Sequence, residues 1–378
     1  MSAIKSSIQY IFGIVLISII VAGLFVVFKD SSDALVLLKF FIFPGILFIF
    51  LGSLVINWFD RKIFARMQNR IGPRFIQPVY DLLKLLAKED ITADGVDEVE
   101  FNAIPPIQVI LAFMVAFTTP VYATEGLISF EGDLVFILFL LAVIGASIFL
   151  LGWATNNPYG IIGGARAAVA EFSFEIPLAL SFIGPAILAG SLRLSEILDS
   201  EYALLALPLG VFRGDLDPEN LLYMIPLLVL LGMAILSTTA VLEKVPFDPA
   251  HAEVEIIGGW AIEISGKKLL FTRLANLILE FSLAGIIAAV FFGGPKYPTE
   301  FEDIILDIWT IGEWDVLGYL FSIAFFIIKM MIIVFFITSM RTLHSRIRID
   351  QLVQYFWRYY LPITLAALFM IIALVGVI

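Results

Sequence analysis

Along most of the chain, apolar residues run on without alternation, in stretches long enough to cross a lipid layer. A helix needs ~20 such residues to span the hydrocarbon region. The pattern predicts nine spans, at about 8–28, 38–58, 104–123, 133–153, 172–192, 221–242, 270–292, 316–338 and 359–378. The fifth is the least clean, because Glu171 and Glu175 interrupt it. Continuous apolar runs exclude a membrane β-barrel, whose strands alternate lipid-facing and lumen-facing residues. The expected fold is therefore an all-α polytopic membrane protein in a single integral membrane domain over residues 1–378. The first apolar run lacks a small-residue cleavage site and reads as a retained helix rather than a signal peptide.

One segment departs from the spanning pattern. Between 77 and 88, Val79, Leu82, Leu83, Leu85 and Leu86 recur at helical spacing, opposed by Asp81, Lys84 and Lys88. That describes an amphipathic helix lying in the interface. It sits in the largest non-spanning segment, about 59 to 103.

Composition agrees with this picture. Hydrophobic residues make up 61% of the chain and charged residues 15%, against about a quarter charged in soluble domains. Seventeen of the 23 Lys and Arg residues fall on one side of the alternating spans, five on the other, and Lys329 lies within a span. The basic side is expected to be cytoplasmic, which puts the amino terminus inside and the carboxyl terminus outside a cell (plasma) membrane. The net charge of −11 argues against a nucleic-acid partner. With no cysteine and only two histidines, the chain cannot ligate an iron–sulfur cluster by thiolates and is a poor candidate for a metal or haem site. No metal and no catalytic residue is expected in it, and neither a P-loop, a nucleophile elbow nor an HExxH motif occurs.

The candidate chemistry lies in ionisable residues close to or within the spans. Three basic-side segments carry it. The first, DRKIFARMQNRIGPRFIQPVYDLLKLLAKEDITADG, holds Asp60, Arg61, Arg70 and Arg74 around a Gly72-Pro73 turn. The second, read as a loop entering the fifth span, is GWATNNPYGIIGGARAAVAEFSFEIPLALSF. Its Gly and Ala residues allow close backbone approach, with Arg166 nearby, and Glu171 and Glu175 share one helix face. The third, LEKVPFDPAHAEVEIIGGWAIEISGKK, gathers Glu243, Asp248, Glu253, Glu255 and Glu263. Crowded, half-buried carboxylates raise one another's proton affinity, so this cluster reads as a place where protons exchange. His251 stands among these acids, though a lone loop histidine is as a rule incidental. Deeper still, Glu280 and Lys329 are charges at bilayer depth, where an ionisable group costs ~2.5–3.5 kcal/mol unless it faces a cavity or a partner. The plain alternative for each is a structural ion pair that locks helices.

At these segments the sequence resembles the membrane subunit of respiratory complex I that adjoins the peripheral arm (its H-type, or type 1, membrane component), and its counterparts in membrane-bound NiFe hydrogenases and related ferredoxin-linked complexes. DRKIFARMQNRIGP with QPVYDLLKLLAKED, GWATNNPYGIIGGARAAVAEFSFEIPLAL, VPFDPAHAEVEIIGGWAIEISG, and Lys329 followed by MRTLHSRIRIDQLVQYFWRYYLP occur in the family's order across about residues 44–378. The resemblance implies a subunit that joins electron transfer in a peripheral arm to ion movement in the membrane. It implies a proton path through Asp60, Glu171, Glu175, Glu243, Asp248, Glu253, Glu255, Glu263, Glu280 and Lys329, with Arg61, Arg70, Arg74 and Arg166 bordering a chamber or docking the arm. It also implies partners: iron–sulfur and hydrogenase-large-subunit-like proteins, which carry the clusters and any NiFe centre, and antiporter-like membrane subunits, all in a lipid setting.

Four departures weigh on the choice within that family. Asp60 stands where complex I has Glu. PFDPAHAEVE replaces the usual PFDLPEGESE and puts His251 at an acid's place. An extra helix, at 8–28, precedes the family region. Only Arg74, Phe75 and Ile76 separate Gly72-Pro73 from Gln77-Pro78, where quinone-reducing relatives carry a longer segment. The short connection favours a hydrogenase- or sulfur-reductase-type complex over a quinone reductase, and the departures together weigh against quinone as a cofactor. The reading from another class is a stand-alone secondary ion transporter, which an internal repeat would support; none is visible.

Overall fold

The structure is a computed structural model that describes residues 39–200, 218–296 and 316–377. The predicted first helix, 8–28, lies outside the described residues. Within them the chain is helical, and eight segments are long and apolar enough to cross a membrane. In order these are Lys39–Met67, whose regular part is α1 (Ile46–Met67), then α3 (Glu98–Phe117), α4 (Asp133–Ala154), α5 (Pro158–Ala189), α7 (Pro218–Val241), α8 (Gly266–Phe292) and α9 (Val316–Leu343). The last is formed by α10 (Ile349–Tyr355), a π turn at Phe356–Tyr360, and α11 (Leu361–Val377). Two shorter helices, α2 (Gln77–Leu86) and α6 (Leu194–Asp199), lie at opposite ends of the bundle. Helices suit this setting because each satisfies its own backbone polar groups where no water can.

The starts of α3 and α5 follow capping chemistry more than hydropathy. Asp97 caps α3 by accepting from Val99 N–H, so α3 begins before the predicted start at 104. Asn157 caps α5 in the same way through Tyr159 N–H, with Pro158 at the first helical position. The segment from Pro158 onward, read from sequence as a loop, is thus the first part of one long helix ending at Gly190. Its small residues serve packing: Gly163 lies against the backbone of Gly259 and Trp260, and a Cβ there would collide with it. At α4, a Cβ on Gly145 would collide with the Glu171 carboxyl, so glycine leaves the room that this side chain occupies.

α8 is the most enclosed of the spans. It packs chiefly on α3 and also touches α1, α2, α7 and α9, while α5 packs between α4 and α7. The main core joins Phe48 and Ile49 of α1, Phe182 of α5, Leu230 of α7, Ile278 to Phe291 along α8, and Phe326 and Ile337 of α9. One end of the bundle carries the connections 68–97, 155–157, 242–265 and 344–348. It is the end richest in Lys and Arg, and the site lies there.

Candidate functional site

α7 ends in a turn that separates two adjacent charges. Glu243 takes a left-handed conformation (φ 48°), while its N–H and that of Lys244 fold back onto the carbonyls of Ala240 and Thr239. Glycine is the usual occupant of such a helix-ending position. A charged residue kept there is a strained feature of the sort that collects at functional sites. The turn sends Glu243 toward His251, at 2.9 Å, and Lys244 into the bundle.

There Lys244 sits between two buried carboxylates, Glu280 of α8 at 2.6 Å and Asp60 of α1 at 3.3 Å. Asp60 also accepts from Thr338 Oγ1 (2.5 Å) and pairs with Arg341 (3.1 Å), both on α9. Three helices and a loop thus meet on two acids and two bases, each acid with a cation, which is what makes burial of so much charge tolerable. Burial alone would lower the Lys244 pKa, but Asp60 and Glu280 hold it above the ordinary lysine value. For His251, burial also pulls down, and the Glu243 carboxylate outweighs it and raises the pKa.

A cleft of about 380 Å³ opens over this cluster, lined by Asp60, Arg61, Lys244, Asp248, Glu280 and Arg341 among others. α2 forms one wall. Pro78, Leu82 and Leu85 face the cleft, whereas Leu83 and Leu86 are exposed. Asp81 shares the cleft wall, contrary to its expected place on the outward polar side. It accepts from Arg61 (2.5 Å) and Gln77 (3.0 Å), bonds available only when the carboxylate turns inward. Although its partial burial pushes the Asp81 pKa up, those two bonds hold it below the usual carboxylate range.

The third-segment acids are not crowded together but paired one by one. Asp248 takes a bidentate pair of bonds from Arg346, both 2.7 Å. Glu255 meets Arg166 of α5 at 2.5 Å, and Glu263 accepts from Asn157 Nδ2 at 2.7 Å. The Glu253 side chain lies outside the described residues. Individual cations and an amide thus replace the mutual repulsion expected from the sequence.

Glu171 and Glu175 lie on α5, and among the described residues neither has a hydrogen bond or ion pair. Glu171 lines a small internal cavity of about 10 Å³ together with Glu243 and Asp248. Those two residues line the larger cleft as well, so they stand between Glu171 and the Lys244 cluster. Lys329 does not join this assembly. Its ammonium donates to the carbonyls of Phe292, Gly294 and Lys296 at 2.9, 2.7 and 2.6 Å, at the far end of α8. Arg70 and Arg74 are exposed on the basic end.

The sequence does not single out Lys244, Arg341, Arg346 or Thr338 as site residues, and it makes only a weak case for His251. The first three counted there only as positive-inside charges, since nothing local marks which loop cation pairs with which buried acid. No group of His, Cys, Asp and Glu among the described residues is arranged to hold a metal ion.

Comparison with known proteins gives this site its setting. A family model described as NADH dehydrogenase matches residues 38–372. The H-type membrane component of NADH-quinone oxidoreductase from Bacillus thuringiensis subsp. konkukian (strain 97-27) is 34% identical over 347 residues, covering 88% of this chain and 93% of the relative. Its counterpart from Brevibacillus brevis is 30% identical over 316 residues, covering 82% and 84%. Among solved structures, a chain of the membrane-bound sulfane sulfur reductase, an archaeal respiratory membrane complex, shares the fold with a TM-score of 0.70 at 22% identity, over 86% of this chain and 96% of that one. On the match across nearly its whole described length, this polytopic helical chain belongs to the NADH dehydrogenase family and is a membrane subunit of the complex I-related type.

Proposed function

We propose that the chain is the ion-coupling membrane subunit of a complex I-related oxidoreductase, docking a peripheral electron-transfer arm and converting its redox chemistry into ion translocation. The observation that carries this reading is the Asp60–Lys244–Glu280 cluster beneath an open, charged cleft. One ammonium between two buried carboxylates can satisfy both only while it stays central. When charge changes at the cleft, Lys244 shifts toward one acid, and the other takes up a proton rather than remain a bare buried charge. Glu243 and Asp248 border both the cleft and the Glu171 cavity, so the same disturbance reaches Glu171, one helical turn before Glu175 on α5. The basic end faces the cytoplasm in this reading, where Arg70 and Arg74 meet the arm. Lys329 would carry the response toward neighbouring antiporter-like subunits through α8, whose last carbonyl, that of Phe292, it holds together with that of Gly294 just beyond.

The complex is of the sulfur-reductase or hydrogenase type, on the short connection from Arg74 to Ile76 and the fold shared with a sulfane sulfur reductase chain. Its iron–sulfur and any NiFe centres reside in partner subunits. A second reading, a quinone-chamber subunit, draws on the NADH-quinone oxidoreductase relatives and on Pro78, Leu82, Leu85 and Leu277 lining the cleft.

Glu280→Gln in the intact complex, reconstituted in proteoliposomes and driven by a reduced viologen dye, tests the coupling role. Electron transfer should persist while ion uptake per electron falls at least about tenfold, equivalent to ~1.4 kcal/mol on the transfer barrier. Unchanged uptake per electron would remove Glu280 from the path.

A further inference from the structure

Pairing of charges around the clefts leaves one cation over. In the 380 Å³ cleft Asp81 is held by Arg61, Glu280 and Asp60 by Lys244 and Arg341, Glu243 by His251 and Asp248 by Arg346. Arg273 of α8 lines the same cleft, yet among the described residues its guanidinium has no hydrogen bond and no ion pair. Its charge reaches Asp81, but that carboxylate already has Arg61 and Gln77. A second cleft, of about 540 Å³, lies on the other side of Arg273 and contains His251, Trp260 and Arg346. The two clefts share three lining residues: Asp248, Arg273 and Asn276. Asp248 is occupied by Arg346, whereas the Asn276 amide, one helical turn beyond Arg273 and so on the same face, also has no partner among the described residues.

We propose that Arg273 and Asn276 bind a phosphate-type oxyanion at the neck between the two clefts. A guanidinium fork with spare donors matches two oxygens of such a group at once, and a neighbouring amide N–H supplies a third bond. The apolar wall of Pro78, Leu82, Leu85 and Leu277 on one side of the neck suits the chains of an anionic lipid whose head reaches Arg273. The same chemistry is met by free phosphate entering from water. The site shares the cleft with the Lys244 cluster but uses none of its paired side chains, and it stands whether or not that cluster conducts protons.

The test uses the intact complex, delipidated in detergent, with two probes kept apart: phosphatidylglycerol and inorganic phosphate. Binding is read by native mass spectrometry and by thermal unfolding. Retention of phosphatidylglycerol but not phosphate assigns a lipid head, and the reverse assigns a free anion. In either case Arg273→Gln should weaken binding by roughly tenfold or more, the scale of one lost charge-assisted bond. Arg273→Lys, which keeps charge but not the fork, should lose less, and it also serves if the glutamine variant fails to assemble. Wild-type complex that binds neither probe, or binding undiminished in both variants, overturns the proposal.

Discussion

Lys244 holds two buried carboxylates on separate helices, and its removal leaves them facing each other. Lys244→Met should therefore destabilise the protein by about 3–5 kcal/mol, the usual cost of breaking a buried pair from one side. Adding Glu280→Gln to Lys244→Met should restore much of that loss, because Glu280 is the carboxylate left without a cation while Asp60 keeps Arg341; thermal unfolding of the purified complex measures both. His251 offers a second residue-scale test. The Glu243 carboxylate raises its pKa, so their pairing stabilises the folded state fully below the unfolded histidine value of about 6.5. That contribution is lost as pH rises through the higher, folded value. Glu243→Gln should bring the His251 pKa down, since burial is then opposed only by the Asp248 carboxylate and a backbone hydrogen bond at Gly258. With only two histidines in the chain, 13C-labelled histidine resonances followed against pH resolve the change directly. The sequence named Glu243 and Glu280 through their positions at span ends and depth. It could not name Lys244 as the partner of Glu280, or His251 as that of Glu243, because pairing depends on how the turn at Glu243 directs each side chain.

At the scale of elements, hydropathy located the described spans, and capping chemistry set where α3 and α5 start. The clearest instance is α5. Asn157 and Pro158 are an N-terminal signature, yet the Gly- and Ala-rich stretch after them lowers mean hydropathy and reads as a loop until its packing is seen. Gly163 lies against the backbone turn at Gly259 and Trp260, which has no side chain to yield. Gly163→Val should cost about 1–3 kcal/mol through overpacking and loosen the 242–265 connection that bears Asp248 and His251. Lower thermal stability with faster proteolysis of that connection is the expected result. α2 was legible as amphipathic from spacing alone, but not which face Asp81 would take, because Arg61 comes from another helix and decides it.

The whole molecule has one end dense in ion pairs and clefts and another where Lys329 closes the terminus of α8, and the functional reading requires the first end to face the cytoplasm. The positive-inside bias gives a direction that can be tested without altering the core. The chain has no cysteine, so a single introduced one reports its own side of the membrane. Arg70→Cys and His344→Cys lie on the basic end and are exposed, while Glu125→Cys lies on the connection between α3 and α4 at the other end. In inside-out vesicles a membrane-impermeant maleimide should label Cys at 70 and 344 and not at 125, with the pattern reversed in right-side-out cells. A peripheral arm seated over Arg70 and Arg74 adds a further expectation. Cys at 70 should label slowly in vesicles that keep the arm and several-fold faster once chaotropic salt strips it, with little change at 344 if the arm covers only the Gly72-Pro73 side. Equal labelling of the 70 position before and after stripping would move the docking surface elsewhere on the basic end, while labelling from the opposite side would invert the topology on which the coupling direction rests.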